Sequence, residues 1–271
     1  DFACSAPYVD IHMHPESEGE YLDAVFFSPH KFLGGPGSSG VLIFNKKLYK
    51  NMIPDNPGGG TVSYTNPWGG HDYFDDVETR EDGGTPAFLQ TIKIALSIQL
   101  KNQMGTDKMK QREDEINPII FNCLENLEGV KILAPNTKDR LSIFSFYYEK
   151  YHFNLVVKLL NDRFGIQTRG GCSCAGTYGH FLLNVDLDKS NKIKDQILEG
   201  CNTDKPGWVR LSVHPTITDT EIQFICNSLK TLTENIEEWS KDYMYDMVKN
   251  DYIHATTEPI EKELIADWFT L

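Results

Sequence analysis

The amino-acid sequence predicts an α/β protein whose larger domain contains a mostly parallel sheet. Two observations lead to this class. A short apolar segment, Ala24–Phe27, has the composition of a strand that is buried on both faces of such a sheet. After residue 106, helical and strand-like patterns alternate up to about residue 240, which is typical of a smaller α/β domain. We therefore expect a large domain within residues 1–106, a small domain within residues 107–240, and a C-terminal tail, 241–271.

Composition excludes several classes of partner. The 271-residue chain carries a formal net charge of −13, whereas nucleic-acid and anionic-membrane surfaces need clustered Lys and Arg. No apolar run approaches the ~18–20 residues that a membrane-spanning helix requires. The six cysteines are dispersed, which favours reduced thiols in the cytoplasm over a disulfide framework. They are Cys4, Cys123, Cys172, Cys174, Cys201 and Cys226.

The segment that follows the first apolar strand carries three polar side chains, Ser28, His30 and Lys31. The carboxyl end of a strand is where open α/β sheets place their ligands. A lysine that is shielded from water on one side becomes a nucleophile toward carbonyls, and the serine and histidine are suited to a phosphate. The glycine-rich run behind them can turn the chain and return it as a second buried strand, Val41–Phe44.

A second candidate anion site lies at the start of a predicted helix. Thr85 and Pro86 suit the cap and the first position of a helix that we expect over residues 87–104. The amino end of such a helix can accept an anion. A triple glycine at 58–60 indicates a loop before it. The apolar residues of the predicted helix fall on one face: Phe88, Ile92, Leu96 and Leu100.

Two further features lie in the C-terminal half. A glycine-rich loop, residues 168–180, contains Cys172 and Cys174, a pattern that fits half of a metal site, a buried turn or an exposed oxidisable pair. A second cysteine or histidine pair at zinc spacing is missing from the sequence, so we expect no metal. Arg210 interrupts an apolar strand and needs an anionic partner, either a nearby carboxylate or a ligand.

Taken in order and spacing, these segments resemble the class V aminotransferase family of fold-type I enzymes that use pyridoxal 5′-phosphate (PLP). The resemblance is strongest to its cysteine desulfurases and selenocysteine lyases. It rests most specifically on Ser-x-His-Lys at Ser28–Lys31 and covers almost the whole chain. It implies part of a fold-type I large domain followed by a smaller C-terminal α/β domain. It also implies that Lys31 forms the Schiff base and later takes the Cα proton, while Ser28 and His30 bind the cofactor phosphate.

The resemblance assigns further cofactor contacts. Asp1 takes the position of the carboxylate that pairs with the pyridine nitrogen, Ala3 that of the residue packed on the ring, and Cys4 replaces the family's usual glutamine. Gly84 and Thr85 fall on the segment whose threonine reaches the cofactor phosphate of the partner subunit. The resemblance therefore implies a homodimer with two shared sites. The family's ring-stacking residue and phosphate cup precede the aspartate, so we expect an amino-terminal part before Asp1.

In the same way, the resemblance assigns Arg210 to the substrate carboxylate, with Arg169 beside it, and Cys174 to the thiolate that accepts sulfur. Cys172 remains an alternative reactive thiol or a group that resolves a persulfide. Cys172 and Ser173 stand where desulfurases often have histidines, which weakens the assignment to desulfurase but not the cofactor assignment.

The implied function is a PLP-dependent lyase acting on a small amino acid. A cysteine desulfurase moves sulfur from L-cysteine to an enzyme cysteine persulfide and releases alanine, with a sulfur-acceptor protein as a further partner. A selenocysteine lyase is the close variant. An aminotransferase or another class V reaction would leave Cys174 idle, and a non-catalytic fragment would use neither the thiol nor the cofactor.

Overall fold

The computed structural model describes residues 1–14, 19–256, 265, 266 and 268. Most of the predicted tail beyond residue 256 therefore lies outside the described residues. The chain divides into two compact units, Asp1–Lys110 and Gln111–Leu271. Both contain helices and strands, as the α/β prediction requires. Within the described part of the chain, no helix is long and apolar enough to cross a bilayer.

The first unit is built from short elements. Its strands are β1 (Ala24–Phe27), β2 (Val41–Phe44), β3 (Val62–Thr65) and β4 (His71–Tyr73), and its helices are α1 (Val77–Glu81) and α2 (Phe88–Met104). Single 3-10 turns follow β1 at Pro29–Lys31 and β2 at Lys46–Leu48. The boundary at Lys110 falls within the next helix, α3 (Thr106–Glu125).

The mostly parallel sheet expected for the large domain is not seen among the described residues of the first unit. β1 pairs antiparallel with β2, with Phe27 opposite Val41, and every strand pairing among the described residues is antiparallel. Nor is β1 buried on both faces, because Val25 and Phe27 are buried while Ala24 and Phe26 are exposed. The reason is that one face of this two-stranded ladder, with Val25 and Phe27, packs against Ala6 and Phe32, while among the described residues of this unit no second layer covers the other face.

The start of α2 also differs from the prediction. Thr85 does not cap the helix, which begins at Phe88 after Ala87, and Ala87 offers no capping side chain. The segment before α2 is bonded to the triple-glycine loop instead, because the Gly84 amide donates to the carbonyl of Gly59 (2.7 Å). The predicted apolar face exists, but Phe88, Ile92 and Leu96 on it are more than half exposed.

The second unit contains a four-stranded sheet in the order β5-β6-β8-β7. Its strands are β5 (Val130–Ile132), β6 (Ile143–Tyr148), β7 (Arg169–Gly171) and β8 (Trp208–Ser212). Helices α4 (Phe153–Phe164), α5 (Gly176–Leu182), α6 (Leu187–Leu198) and α7 (Asp219–Trp239) complete it. A hairpin of β9 (Tyr243–Asp246) and β10 (Asp251–His254) follows α7, where the sequence suggested only a tail.

One face of this sheet is a continuous hydrophobic core. Alternate residues of β6, Phe144, Phe146 and Tyr148, are buried among side chains of α3, α4 and α7. Val209 and Leu211 of β8 join the same core. Because side chains alternate across a strand, Arg210 lies on the opposite face, together with the partly exposed alternate residues of β6. The sheet therefore presents one half-open, polar face.

Candidate functional site

The turn that carries Lys31 is firmly mounted in the first unit. The Lys31 amide donates to Ser28 O (3.0 Å), the Phe32 amide donates to Pro29 O (2.9 Å), and Pro29 and Phe32 are buried. Behind the turn, the backbone of Gly35 passes so close that a β-carbon there would lie 1.8 Å from Pro29 O. This close approach requires glycine. The local sequence thus fixes the backbone of Lys31 at the carboxyl end of β1.

The three polar side chains of this turn are available to a ligand. Ser28 is half-buried, and its hydroxyl caps no backbone amide of the turn. His30 and Lys31 are exposed. The shielding of Lys31 that the sequence led us to expect is therefore not supplied by this unit. The structure brings a hydroxyl, an imidazole and an amine together on four consecutive residues and leaves the amine in contact with water.

The amino-terminal segment runs beside the same strand. The Phe2 amide donates to Phe26 O in β1 (3.0 Å), and Ala6 is buried against Val25 and Phe27. The Asp1 carboxylate accepts from the Ala3 amide (2.7 Å), and Asp1 is exposed. Asp1, Ala3 and Cys4 are thereby placed alongside the strand that leads into the Lys31 turn.

Gly84 and Thr85 lie in a separate, glycine-lined part of this unit. Gly84 adopts a φ of +89°, and a β-carbon on Gly83 would lie 2.9 Å from the carbonyl of Asn56, next to the triple-glycine loop. Thr85 is exposed. The spacing of these glycines can be predicted from the sequence, but their contact cannot, because it depends on how two loops meet.

Arg80 is a structural residue that sequence reasoning missed. It is buried, and its guanidinium donates to three carbonyls, Phe74 O (2.6 Å), Asp75 O (3.0 Å) and Asn51 O (3.0 Å). It thereby holds the segment before β3 to the segment after β4. A single arginine in a polar stretch carries no sequence signal for this role, because its partners are backbone atoms.

In the second unit, the two arginines of the predicted site are direct neighbours. The antiparallel register places Arg169 of β7 opposite Arg210 of β8, with Ser145 of β6 on the other side of Arg210. Like charges directly opposite each other are destabilising. The buried Nε of Arg210 also has no hydrogen-bond acceptor among the described residues. An anion on this half-open face would relieve both costs, and a carboxylate suits the guanidinium geometry.

Cys174 lies beside this pair. Its side chain is exposed, and Nη2 of Arg169 is 3.1 Å from its Sγ. A guanidinium at this distance favours the thiolate, which is the reactive form of cysteine. Ser173 and Cys174 both have positive φ, +49° and +67°, which is uncommon for residues other than glycine. Such strain is common at functional sites, where the rest of the structure holds the residue in place.

Cys172 has a different environment. It is half-buried, its Sγ donates to Pro206 O (3.0 Å), and a β-carbon on Gly179 would approach this sulfur to 3.1 Å. Burial raises the pKa of the Cys172 thiol. Of the two loop cysteines, Cys174 therefore has the setting of a nucleophile and Cys172 that of a packed side chain. In the described ranges no group of three or more His, Cys, Asp or Glu is arranged to hold a metal.

Comparisons with a family model and with curated proteins agree on one family. The model of the family "Aminotransferase class-V" matches residues 11–225. A "Probable cysteine desulfurase" of Staphylococcus aureus (strain Mu50) is 27% identical over 175 residues, 65% of this chain and 40% of the relative. One from Staphylococcus epidermidis (strain ATCC 12228) is 29% identical over 177 residues, with the same coverage. The chain thus spans about two fifths of the length of these curated relatives.

Solved structures agree on the fold. The apo cysteine desulfurase from Thermococcus onnurineus NA1 superimposes with a TM-score of 0.60 at 24% identity, covering 79% of this chain and 47% of that one. The cysteine desulfurase CsdA from Escherichia coli gives a TM-score of 0.61 at 21% identity, covering 79% and 46%. These likenesses confirm the predicted fold class, with the correction to strand pairing given above.

Proposed function

Because the chain belongs to the class V aminotransferase family, we propose that it supplies the cofactor lysine and the sulfur-accepting thiol of a PLP-dependent enzyme of the cysteine desulfurase type. The observation that carries the sulfur-accepting role is the exposed Cys174 thiol, 3.1 Å from the guanidinium of Arg169, which itself lies opposite Arg210. The names of the curated relatives support the same reaction class.

The residues of the first unit suit the cofactor. Lys31 would hold it covalently through Nζ, Ser28 and His30 would bind its phosphate, and Asp1 would accept a hydrogen bond from the ring nitrogen. The Ser28 hydroxyl, which caps no backbone amide of the turn, supports this assignment. The position of the Asp1–Cys4 segment alongside β1 supports it as well. When bound, PLP supplies the electron sink that makes the Cα–H bond of an amino acid acidic. Lys31 Nζ would take the Cα proton, and Ala3 and Cys4 would line the ring.

The phosphate contact of Gly84 and Thr85 rests on the family alone. Gly84 and Thr85 would bind the cofactor phosphate of a partner subunit, so the working unit would be a homodimer. Lys31 is exposed, and we infer that the bound cofactor covers part of it. We place the enzyme in the cytoplasm, where its cysteines stay reduced.

The second unit would bind and cleave the substrate. Arg210 would hold the carboxylate of L-cysteine in a bidentate pair. Arg169 would supply a second positive charge on the same face. The Cys174 thiolate would attack the substrate sulfur. The new S–S bond gives a persulfide on Cys174, the C–S bond breaks, and its electron pair stays with the three-carbon fragment, which is protonated to alanine. A sulfur-acceptor protein would then remove the outer sulfur.

The cofactor assignment is tested by reductive labelling. The chain is incubated with PLP, reduced with borohydride, digested and mapped by mass spectrometry. We expect the pyridoxyl label on Lys31 and its loss in Lys31→Ala. Lys47→Ala is the matched control, because Lys47 is an exposed lysine on the comparable turn after β2. Equal labelling of many exposed lysines would contradict the proposal.

The sulfur-transfer assignment is tested with ³⁵S-labelled L-cysteine on the PLP-loaded protein. We expect radioactive persulfide on Cys174, none in Cys174→Ser, and normal amounts in Cys172→Ser. Undiminished sulfide release by Cys174→Ser would remove the thiol from the mechanism. Label on Lys31 with keto-acid formation instead of sulfur transfer would favour an aminotransferase. A parallel assay with L-selenocysteine separates a selenocysteine lyase from a desulfurase.

A further inference from the structure

A second pair of cysteines lies on the core side of the sheet in the second unit, on helices rather than on the loop after β7. Cys123 is in the last turn of α3, and Cys226 is in the second turn of α7. The Cys123 thiol donates to the backbone carbonyl of Cys226 over 3.7 Å, so the two residues are direct neighbours although 103 positions separate them. The proposed PLP chemistry uses neither residue.

The pair is open to small molecules. A groove of about 590 Å³ lies between α3 and α7, and both cysteines line it. Cys226 is 9% exposed and Cys123 is partly exposed, so a reagent must be small to reach the sulfurs. The rest of the lining is mainly polar, with the amides of Asn122, Asn126 and Asn227. Water and small polar solutes can therefore enter.

The two thiols are electronically unequal. A side-chain hydrogen bond between the two thiols, separate from the bond to the carbonyl, raises the pKa of Cys123 and lowers the pKa of Cys226. Burial opposes the ionisation of both. The hydrogen bond thus makes Cys226 the better thiolate and keeps a second thiol at hand to react with it. A thiolate with a resolving cysteine beside it is the arrangement found in oxidant-sensitive proteins.

We propose that Cys123 and Cys226 form a peroxide-reactive dithiol that closes to a disulfide between α3 and α7. The Cys226 sulfur attacks one oxygen of hydrogen peroxide, the O–O bond breaks, and the departing hydroxide takes up a proton to leave as water. Cys226 is then a sulfenic acid. The Cys123 sulfur gives up its proton and attacks the Cys226 sulfur, the S–O bond breaks, and a second water leaves. One peroxide is reduced by two electrons while the thiol pair is oxidised to a disulfide.

The disulfide would tie two helices that both pack on the central core. It closes a loop of 103 positions, and long loops are those whose closure restricts the unfolded chain most. The oxidised second unit should therefore unfold at a higher temperature than the reduced one, and a reducing agent should reverse the shift. This makes the groove a modification site that reports the presence of peroxide.

The experiment is differential alkylation of the intact chain. The reduced protein is treated with a stoichiometric amount of hydrogen peroxide, denatured, alkylated and digested without reduction for mass spectrometry. We expect a peptide in which Cys123 is linked to Cys226 and the loss of both sites from the alkylated set. Cys226→Ser should leave Cys123 fully alkylated, and Cys123→Ser should leave a sulfenic acid on Cys226 that dimedone traps.

Cys201→Ser is the matched control, because Cys201 is another half-exposed thiol of this unit and its loss should leave the cross-link unchanged. The proposal is overturned if both residues stay alkylated at a dose that oxidises Cys174, if either one links to a different cysteine, or if both proceed to sulfinic acid. The wild-type peptide map decides between these results even if a variant fails to fold.

Discussion

Arg169 distinguishes the thiol of Cys174 from the other cysteines of the chain. Its guanidinium lies 3.1 Å from the sulfur and stabilises the thiolate. We expect Arg169→Ala to slow alkylation of Cys174 at pH 7 by about tenfold, the effect of losing one nearby opposite charge. Arg169→Lys keeps the charge, so its rate of Cys174 alkylation should lie between the rates of the wild type and Arg169→Ala. The rate is measured by timed iodoacetamide quenching and peptide mapping, and an unchanged rate in Arg169→Ala would show that the contact does not activate the thiol.

Gly35 controls the backbone of the Lys31 turn. Its hypothetical β-carbon would lie 1.8 Å from Pro29 O, so Gly35→Ala must push the turn away from β1. We expect a loss of about 1–3 kcal/mol in the unfolding free energy of the first unit, as for other overpacked sites. Reductive PLP labelling of Lys31 should fall with it. Gly59→Ala is the control, because a β-carbon there meets no atom within 4 Å. Equal stability of the two variants would contradict the close approach.

His152 makes the stability of the second unit depend on pH. Its Nδ1 accepts from the Asn154 amide (3.2 Å) at the start of α4, and its ring stacks on Phe153 (4.2 Å). Burial lowers the pKa of His152 below its ordinary value of 6.5. As the pH falls, His152 therefore binds a proton in the unfolded chain before it does so in the folded protein. The contribution of neutral His152 to the unfolding free energy is fully present above pH 6.5 and is lost as the pH drops below that value. Denaturant titrations at several pH values should show this fall, reduced in His152→Gln.

At the scale of the element, α7 begins with a capping box, for which Thr218 and Glu221, three residues apart, are the local sequence signal. Thr218 Oγ1 accepts from the Glu221 amide, and the Glu221 carboxylate accepts from the Thr218 amide in return. We expect Thr218→Ala to lower the unfolding free energy by about 1 kcal/mol, the usual cost of losing such a cap. The check is urea denaturation, with Thr220→Ala, an exposed residue inside the helix, as the control. A matching loss in Thr220→Ala would contradict the capping role.

Other elements could be predicted to different degrees. A glycine is the residue type expected just after a helix, and Gly165 does end α4 with a left-handed φ of +68°. The buried residues of β6 are its alternate apolar or aromatic residues, Phe144, Phe146 and Tyr148, which the sequence shows at every second position. The hairpin β9–β10 was missed, because its turn depends on Asn250 at positive φ and its aromatic residues pack on the distant His152. Such packing has no local signature.

The residues of the candidate site also differ in how far their arrangement could be predicted from the sequence. Ser28, His30 and Lys31 are adjacent in sequence, so their grouping on one turn could be predicted. The position of Arg169 directly opposite Arg210 depends on the register of two strands that are far apart in the chain. The exposure of Lys31 depends on which layers cover β1, and the residues around the turn carry no information about that.

At the scale of the whole molecule, the two units differ in how much core each contains. The second unit has a continuous core of helices α3, α4 and α7 on its sheet. Among the described residues of the first unit, the buried hydrophobic cluster has four members, Ala6, Val25, Phe27 and Phe32. Local stability follows buried apolar contact. We expect amides of β6 and α7 to exchange with deuterium far more slowly than those of β1 and β3. Similar protection in both units, measured by mass spectrometry, would contradict this ranking.

The facing guanidiniums of Arg169 and Arg210 also have a practical consequence for handling the protein. Two cations held opposite each other attract whatever oxyanion the solution offers, and phosphate and sulfate carry more charge than an amino-acid carboxylate. A purification buffer containing either salt would therefore compete with the proposed substrate carboxylate at this face. Kinetic constants measured in phosphate would then include displacement of that salt, and a zwitterionic buffer without either salt is the reference.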